Sequence, residues 1–342
     1  MKILFWADLH AHCYQEFSEL DEGVNSRLME CVKAVNSVRE AAEEHKVDYI
    51  GFGGDVLHLK NFADIQVVRY TIEAFKRLCA VAPMFICAGN HDYRSWNREP
   101  VLIEAMSGLL EDAKFVEIAD LKGDWHLHVF NYRRDISELT ELLAHWNYDP
   151  KAIGLFHQDV IGSRYGGIEV VKGLDAAMLS KKFRWSFVGH YHTPRQYVPN
   201  VFSIGAPLAH NFSDAGEDHG WWILDTESEN PVEFVPNFGS PQFIDVELRE
   251  NDEKLISEGL VPFAGRPDHD YFRIKSHLKE LPDIIKALKW KRVAMAESET
   301  DKKSRADLKF SDTEEALMRK YIKVKNPGLD EERLVTLGRR YL

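Results

Sequence analysis

Residues 84–92 read MFICAGNHD, five apolar residues followed by Gly89-Asn90-His91-Asp92. A short apolar run closed by glycine suits a strand buried on both faces, and the polar cluster behind it suits a ligand site at the strand's carboxyl end. The same arrangement recurs along the chain. Residues 2–7 lead into Asp8-Leu9-His10, residues 47–53 into Gly54-Asp55, residues 152–156 into His157, and residues 185–188 into Gly189-His190-Tyr191-His192. In an open α/β sheet the carboxyl ends of the strands converge on one edge, so Asp8, His10, Asp55, Asn90, His157, His190 and His192 can meet although they are far apart in sequence.

That mixture of donors points to divalent cations. Asp and Asn supply hard oxygens, imidazole suits transition metals, and a shared carboxylate can hold two ions about 3.5–4 Å apart. Such a pair acidifies water and clamps a phosphoryl group. Glycine beside a ligand lets backbone and substrate approach closely, a use open to Gly54, Gly89 and Gly189.

The chain has 342 residues, 44% hydrophobic and 29% charged, enough for one large domain with a small appendage. Lys2 and the early Asp8 leave no room for a signal peptide or membrane span at the start, so the expected location is the cytoplasm. Cys13, Cys31, Cys79 and Cys87 show no CxxC spacing and are expected to be reduced. The formal net charge of -12 is uneven. From Lys275 onward there are 17 Lys and Arg against 12 Asp and Glu, and the chain before it carries 26 against 43. Charge alone therefore neither requires nor excludes DNA.

Helical periodicity over residues 24–44 and 64–79, set between strand-like runs, predicts an α/β domain. Residues 201–204 read as one more strand after the ligand-bearing runs. Residues 126–130, 221–224, 232–235 and 243–248 read as a second set of strands, giving two packed sheets with helices outside. Residues 1–248 would form this domain. Residues 249–297, with a strand at 271–275 and a helix at 281–289, would form a small α+β cap. Residues 298–342 would be a charged linker, over residues 298–305, and two helices; Ser311 and Glu314 make a capping-box pattern and Asp330 caps the last helix. Two apolar stripes on residues 64–79, one of them Ile65, Val68, Ile72, Phe75 and Cys79, and another at Leu102, Ala105, Met106 and Leu109 mark helices that pack on the sheet and leave a dimer open.

Asp-x-His, Gly-Asp, Gly-Asn-His-Asp, a strand-terminal His and Gly-His-x-His, in that order, resemble the calcineurin-like metallophosphoesterase superfamily over residues 1–248. Gly54-Asp55-Val56-Leu57-His58, Gly205-Ala206-Pro207-Leu208 and Phe212-Ser213-Asp214 are similar to its SbcD nuclease branch, the prokaryotic and phage relatives of the Mre-Rad-Nbs complex nuclease. The resemblance implies a four-layer α/β/β/α sandwich of two mixed sheets. It also implies a DNA exonuclease and endonuclease of recombination and double-strand-break repair, with two ions, Mn2+ or alternatively Mg2+. Asp8, His10, Asp55 and His192 would hold one ion, and Asp55, Asn90, His157 and His190 the other. His91 would stabilise or protonate the leaving oxygen, Asp92 would orient the His91 ring, and His58 would position the DNA strand. The partners implied are DNA, a second copy of the chain through helices at about 64–79 and 100–112, and an SMC-like ABC ATPase of the SbcC type. That ATPase would dock on the terminal helices through Leu317, Tyr321, Val324, Leu334, Leu337 and Tyr341; no membrane is involved.

Other readings stay open at this point. A general metallophosphoesterase of small phosphodiesters or phosphoproteins fits the same ligands, whereas the complete ligand set speaks against a non-catalytic scaffold that keeps the fold and binds partners. His10-Ala11-His12 departs from the family pattern and resembles the opening His-x-His of metal-dependent barrels of eight βα units, with His12 otherwise at the rim. His126 and His128 share a strand face and read as surface or interface residues. His210 and His219 are either DNA contacts or ordinary loop residues, and the loop at 163–167 could touch a phosphate backbone or simply face solvent.

Overall fold

Strand β1 (Lys2–Trp6) shows how the apolar runs are used. Side chains alternate across a strand, and here both faces are covered: Ile3, Phe5 and Ala7 enter one buried cluster and Leu4 and Trp6 another. The computed structural model describes residues 1–60, 64–93, 108–110, 112–165, 168–248, 265–266, 269–276 and 290–294.

After β1, a hairpin of β2 (Leu20–Asp21) and β3 (Val24–Asn25) precedes helix α1 (Ser26–His45), and β4 (Tyr49–Phe52), α2 (Ile65–Cys79), β5 (Met84–Ile86) and β6 (Ala113–Lys114) follow. Both helices begin where a side chain satisfies an orphan N–H: Asn25 accepts from Leu28 and Asp64 from Gln66. The chain then runs through β7 (Ile118–Leu121), β8 (Trp125–Phe130), α3 (Ser137–Ala144), β9 (Asp149–His157), β10 (Arg164–Tyr165), β11 (Ile168–Glu169) and α4 (Ala176–Ser180). Next come β12 (Phe183–Gly189), β13 (Arg195–Val198), β14 (Val201–Ser203), β15 (Gly220–Asp225), β16 (Val232–Pro236), β17 (Phe243–Leu248), β18 (Tyr271–Ser276) and β19 (Trp290–Ala294).

One six-stranded sheet has the order β16-β15-β1-β4-β5-β6, the other β13-β14-β12-β9-β8-β7. Strands β1, β4, β5 and β6 are mutually parallel, as are β8, β9, β12 and β14; the antiparallel pairings lie at the β16-β15 side of the first sheet and at both margins, β13 and β7, of the second. The sheets face each other through Ile3, Phe5, Phe85, Ile153, Phe187 and Phe202. Phe5 stacks on Phe187 with ring centroids 3.9 Å apart. The outer face of the first sheet packs on α1 and α2 through Leu28, Val35, Phe75 and Leu78. That of the second packs on α3 and α4 through Leu139, Leu143 and Leu179. The result is the mixed α/β arrangement of two packed sheets, helix-covered on both sides, and it rules out the eight-unit barrel.

Strand membership differs from the sequence reading. Residues 221–224 and 232–235 form the β15–β16 hairpin on the margin of the first sheet, with Phe5 opposite Trp222, rather than joining residues 126–130. The partners of residues 126–130 are residues 152–156, and 243–248 lies in a separate three-stranded sheet, β17-β18-β19. Period-two alternation identifies a strand but carries no information about which sheet receives it. Strand β17 pairs in parallel with β18 across the 248/249 border expected between domains, and compact units run Met1–Arg292 and Val293–Leu342.

Residues 249–264 of the expected cap, its expected helix at 281–289, the stripe residues Leu102, Ala105 and Met106, and the linker and helices of 298–342 lie outside the described residues. All four cysteines are free, three of them buried. Among the described residues no helix is long and apolar enough to cross a membrane.

Candidate metal centre

Beyond the carboxyl ends of β1, β4 and β12 the backbone enters a region that side chains normally avoid. Asp8 (φ 56°), His10 (φ 45°), Asp55 (φ 60°) and His190 (φ 107°) all have positive φ. Such residues cost about 1–3 kcal/mol each and persist only where their surroundings dictate the conformation. Here the strand extensions of β1 and β4 remain tied together, Asp8 N–H donating to Gly54 O at 2.9 Å and His10 N–H to Asp55 O at 3.0 Å. The glycines admit the close approach: a Cβ on Gly89 would lie 2.2 Å from Asp55 Oδ1, and one on Gly54 (φ 99°) 2.7 Å from His157 Nδ1.

All seven side chains expected from the sequence converge. Candidate ligand atoms of Asp8, His10 and His192 lie within 4.8 Å of one another, and so do those of Asp55, His157 and His190. Asp55 Oδ2 stands between the groups, 3.5 Å from His10 Nε2 and 3.4 Å from His157 Nε2. Asn90 Oδ1 lies 3.0 Å from His157 Nε2 and 2.9 Å from His190 Nδ1. Two buried carboxylates, 0% and 1% exposed at Asp8 and Asp55, face imidazole nitrogens and an amide oxygen. This donor set fits divalent ions that accept mixed nitrogen and oxygen ligands.

Electrostatics at the centre reflect crowding. Burial pushes Asp8 above the usual carboxylate range. At Asp55 burial acts the same way, but the neighbouring His157, His10 and His91 together outweigh it and hold the carboxyl well below that range. Burial would lower His157, yet Asp55 raises it to about 9.

A second layer fixes the rings. His157 Nδ1–H donates to Gly53 O at 2.6 Å, which turns Nε2 toward Asp55. His192 Nδ1 meets Asp214 Oδ1 at 3.1 Å, and His190 Nε2 meets Asp159 Oδ1 at 3.3 Å. Partners of this kind set the tautomer and basicity of metal-binding histidines. Asp159 and His210 were not legible as parts of the site, and Asp214 stood out only within a family motif. Their nearest sequence signal is proximity, Asp159 lying two residues after His157.

His91 sits beside this cluster, its backbone N–H donating to Asp55 Oδ1 at 2.7 Å and its ring 4.7 Å from that of His10. Its Nδ1–H donates to the carbonyl of His58 at 2.5 Å, leaving Nε2 for a substrate. The His58 ring stacks on it at 5.8 Å. Asp92 does not orient His91. Its buried carboxylate accepts instead from the backbone N–H groups of Asp55, Val56 and Gly89 at 2.8, 3.0 and 2.8 Å. Those three donors take up its oxygens and tie the loop after β4 to the loop after β5.

The remaining histidines divide. His12 packs between Tyr14 and His58, with ring centroids at 5.1 and 5.3 Å. His210 and His219 are buried, 3% and 6% exposed, which removes them as DNA contacts. His126 pairs with Asp120 in an exposed position, and His128 packs edge-on against Trp146. The loop at 163–167 carries the β10–β11 hairpin, whose tip, residues 166–167, is outside the described residues.

A family model described as calcineurin-like phosphoesterase matches residues 1–194. A protein of Invertebrate iridescent virus 6 named as a phosphoesterase is 23% identical over 231 residues, 65% of this chain and 75% of that protein. Exonuclease subunit 1 of Enterobacteria phage T4 is 30% identical over 97 residues, 28% of each chain, so this match spans a minor part of that protein. A solved structure from Thermus thermophilus aligns with a TM-score of 0.42 and 13% identity, covering 69% of this chain and 98% of its own.

Proposed function

From the premise that this chain belongs to the calcineurin-like phosphoesterase family, which its match over residues 1–194 establishes, we propose that it is a manganese-dependent DNA exonuclease and endonuclease of the SbcD type. The observation that carries the reading is the pair His91 and His58 beside Asp55, two imidazoles stacked at the edge of the donor cluster. The resemblance to a phage exonuclease subunit supports the same choice.

In this reading Asp8, His10, Asp55 and His192 hold one divalent ion, and Asp55, Asn90, His157 and His190 the other. Divalent ions held there would supply Lewis-acid polarisation of a phosphoryl group and acidification of water. The chain's own residues do the rest. Asp92 fixes the spacing of the two loops that carry Asp55 and Asn90. His91, its Nδ1–H committed to the His58 carbonyl, holds at Nε2 the proton that the leaving oxygen requires. His58 lines the path of the strand. Residues 249–297 cap the DNA, residues 298–342 dock on an SMC-like ABC ATPase, and α2 with residues 100–112 forms a homodimer. Ile65 at the start of α2 is 83% exposed, which suits that contact, whereas Val67, Ala74, Phe75 and Leu78 are committed to the core. Mn2+ is preferred, with Mg2+ the alternative, and the setting is recombination and double-strand-break repair in the cytoplasm.

A general phosphoesterase is the second reading, favoured by the viral relative whose name claims nothing narrower. Linear double-stranded DNA and a chromogenic phosphodiester, each supplied with Mn2+, separate the two. The nuclease reading expects DNA degradation by wild type, a loss of about 100-fold or more in His91→Ala on both substrates, and a loss confined to DNA in His58→Ala. Hydrolysis of the chromogenic diester with DNA left intact, even beside an ATPase partner, would replace it with the general phosphoesterase.

A further inference from the structure

Arg27, on the first turn of α1, is 2% exposed. An enclosed guanidinium is costly unless each donor finds a partner, and Arg27 finds three. Its Nε donates to Glu30 Oε2 at 2.8 Å, Nη1 to Glu16 O at 3.2 Å and Nη2 to His210 O at 2.9 Å. The rings of Tyr14, Phe243 and Tyr271 stand around it, with centroids 5.2, 5.0 and 4.8 Å from Cζ. Phe243 and Tyr271 are the first residues of β17 and β18. The box therefore joins α1 to the small three-stranded sheet.

The third partner leads to the metal centre. His210 Nε2–H donates to the backbone carbonyl of Asp8 at 3.0 Å, and His210 N–H donates to Asp214 Oδ2 at 2.8 Å. The other oxygen of Asp214 holds His192 Nδ1. One short loop thus grips both Asp8, whose backbone is in the left-handed region, and His192. From the far side Phe212 packs on Phe243 at 4.9 Å and under Arg273 at 4.6 Å. The Asp55 carboxylate and the rings of His157 and His190 have their own supports, the His91 N–H, Gly53 O and Asp159, none of which belongs to this loop, while the His190 backbone N–H reaches across to the Asp8 carboxylate at 3.0 Å.

We infer that Arg27 and His210 are positioning residues for one half of the metal centre only: through the loop of residues 208–214 they fix Asp8 and His192 and so set the affinity of a single ion. The inference rests on the two-ion reading above.

The test is a Mn2+ titration of metal-free full-length protein by calorimetry, with electron paramagnetic resonance to report spin-coupled pairs. Wild type is compared with Arg27→Met, Arg27→Lys, His210→Phe and the Arg27→Met/His210→Phe double variant. Two binding events are expected in wild type. Arg27→Met and His210→Phe should each weaken one event by about 10- to 100-fold, leave the other in place and abolish the coupled signal at limiting Mn2+. Arg27→Lys should recover part of the loss, and the double variant should lose little more than either single one, since both act through the same loop. Should Arg27→Met unfold, His210→Phe, which keeps a ring and the carbonyl that Arg27 uses, carries the test alone. Equal weakening of both events, or two unchanged events in a folded variant, overturns the inference while the two-ion reading stands. Wild type without two events removes both.

Discussion

The two ends of the parallel strands are built on opposite principles. At the amino ends, charges are paired at the surface: Lys2 with Asp225, Lys122 with Asp48 and the N-terminal ammonium with Glu227. At the carboxyl ends, Asp8 and Asp55 are buried and met by imidazoles and backbone N–H groups. Positive φ accompanies them at Asp8, His10, Asp55 and His190. One end of the sandwich pairs its charges at the surface, while the other holds strained backbone and buried carboxylates whose burial a cation would offset.

The largest expected effect lies at the strained end. Asp55→Asn keeps the oxygen that accepts the His91 N–H but removes the charge between the two ligand groups. Phosphoesterase activity should fall on the order of 1000-fold, the equivalent of about 4 kcal/mol of lost transition-state stabilisation. The melting temperature of the metal-free protein should fall only modestly, because the charged carboxylate is favoured in the fold by His157 while its burial opposes it. A marked fall in that melting temperature would mean that Asp55 is a structural residue and the contrast between the ends is misplaced.

A smaller effect sharpens the contrast within the same end. Asp92→Ala leaves three buried N–H donors without their acceptor and should cost about 3 kcal/mol in urea unfolding. Were Asp92 instead to orient His91, turnover would drop with no change in the urea midpoint. Burial, with the nearby Asp55, raises the Asp92 carboxyl to about 7, against the pull of the three amides that knot it in place.

The smallest effect belongs to the amino ends. Lys122 is exposed, and Lys122→Ala should leave activity within error and lower the unfolding midpoint at neutral pH only slightly, since exposed pairs contribute little. Burial opposes it, but the Lys122 hydrogen bond holds the Asp48 carboxyl below its usual range. A depressed folded pKa contributes stability above the unfolded value that disappears as pH falls through the folded one. The variant should therefore show a shallower acid-side loss below about pH 4, read from unfolding midpoints across that range. A large activity loss in Lys122→Ala would erase the division between the two ends.

Legibility followed the range of the interactions. The buried strands could be read because parallel strands covered on both faces are continuous apolar runs, and α1 and α2 because their apolar period is local. The candidate ligand residues stood out because each closes such a run. The short strands β6, β7 and β13 and the helices α3 and α4 had too few residues for a period to register. Asp92 was misread because its neighbour in sequence, His91, is not its partner in space.

The sequence by itself determined the α/β class, the main strands and the seven donors at strand tips, since composition and periodicity are properties of consecutive residues. Only the tertiary structure decided which sheet each strand joins, that Asp92 ties backbone rather than a ring, and that Asp159, Asp214, His210 and Arg27 stand behind the ligands. Those outcomes depend on contacts between residues as far apart as 27 and 210. No local pattern encodes such contacts, because they exist only once hydrophobic burial has brought the sheets and helices together.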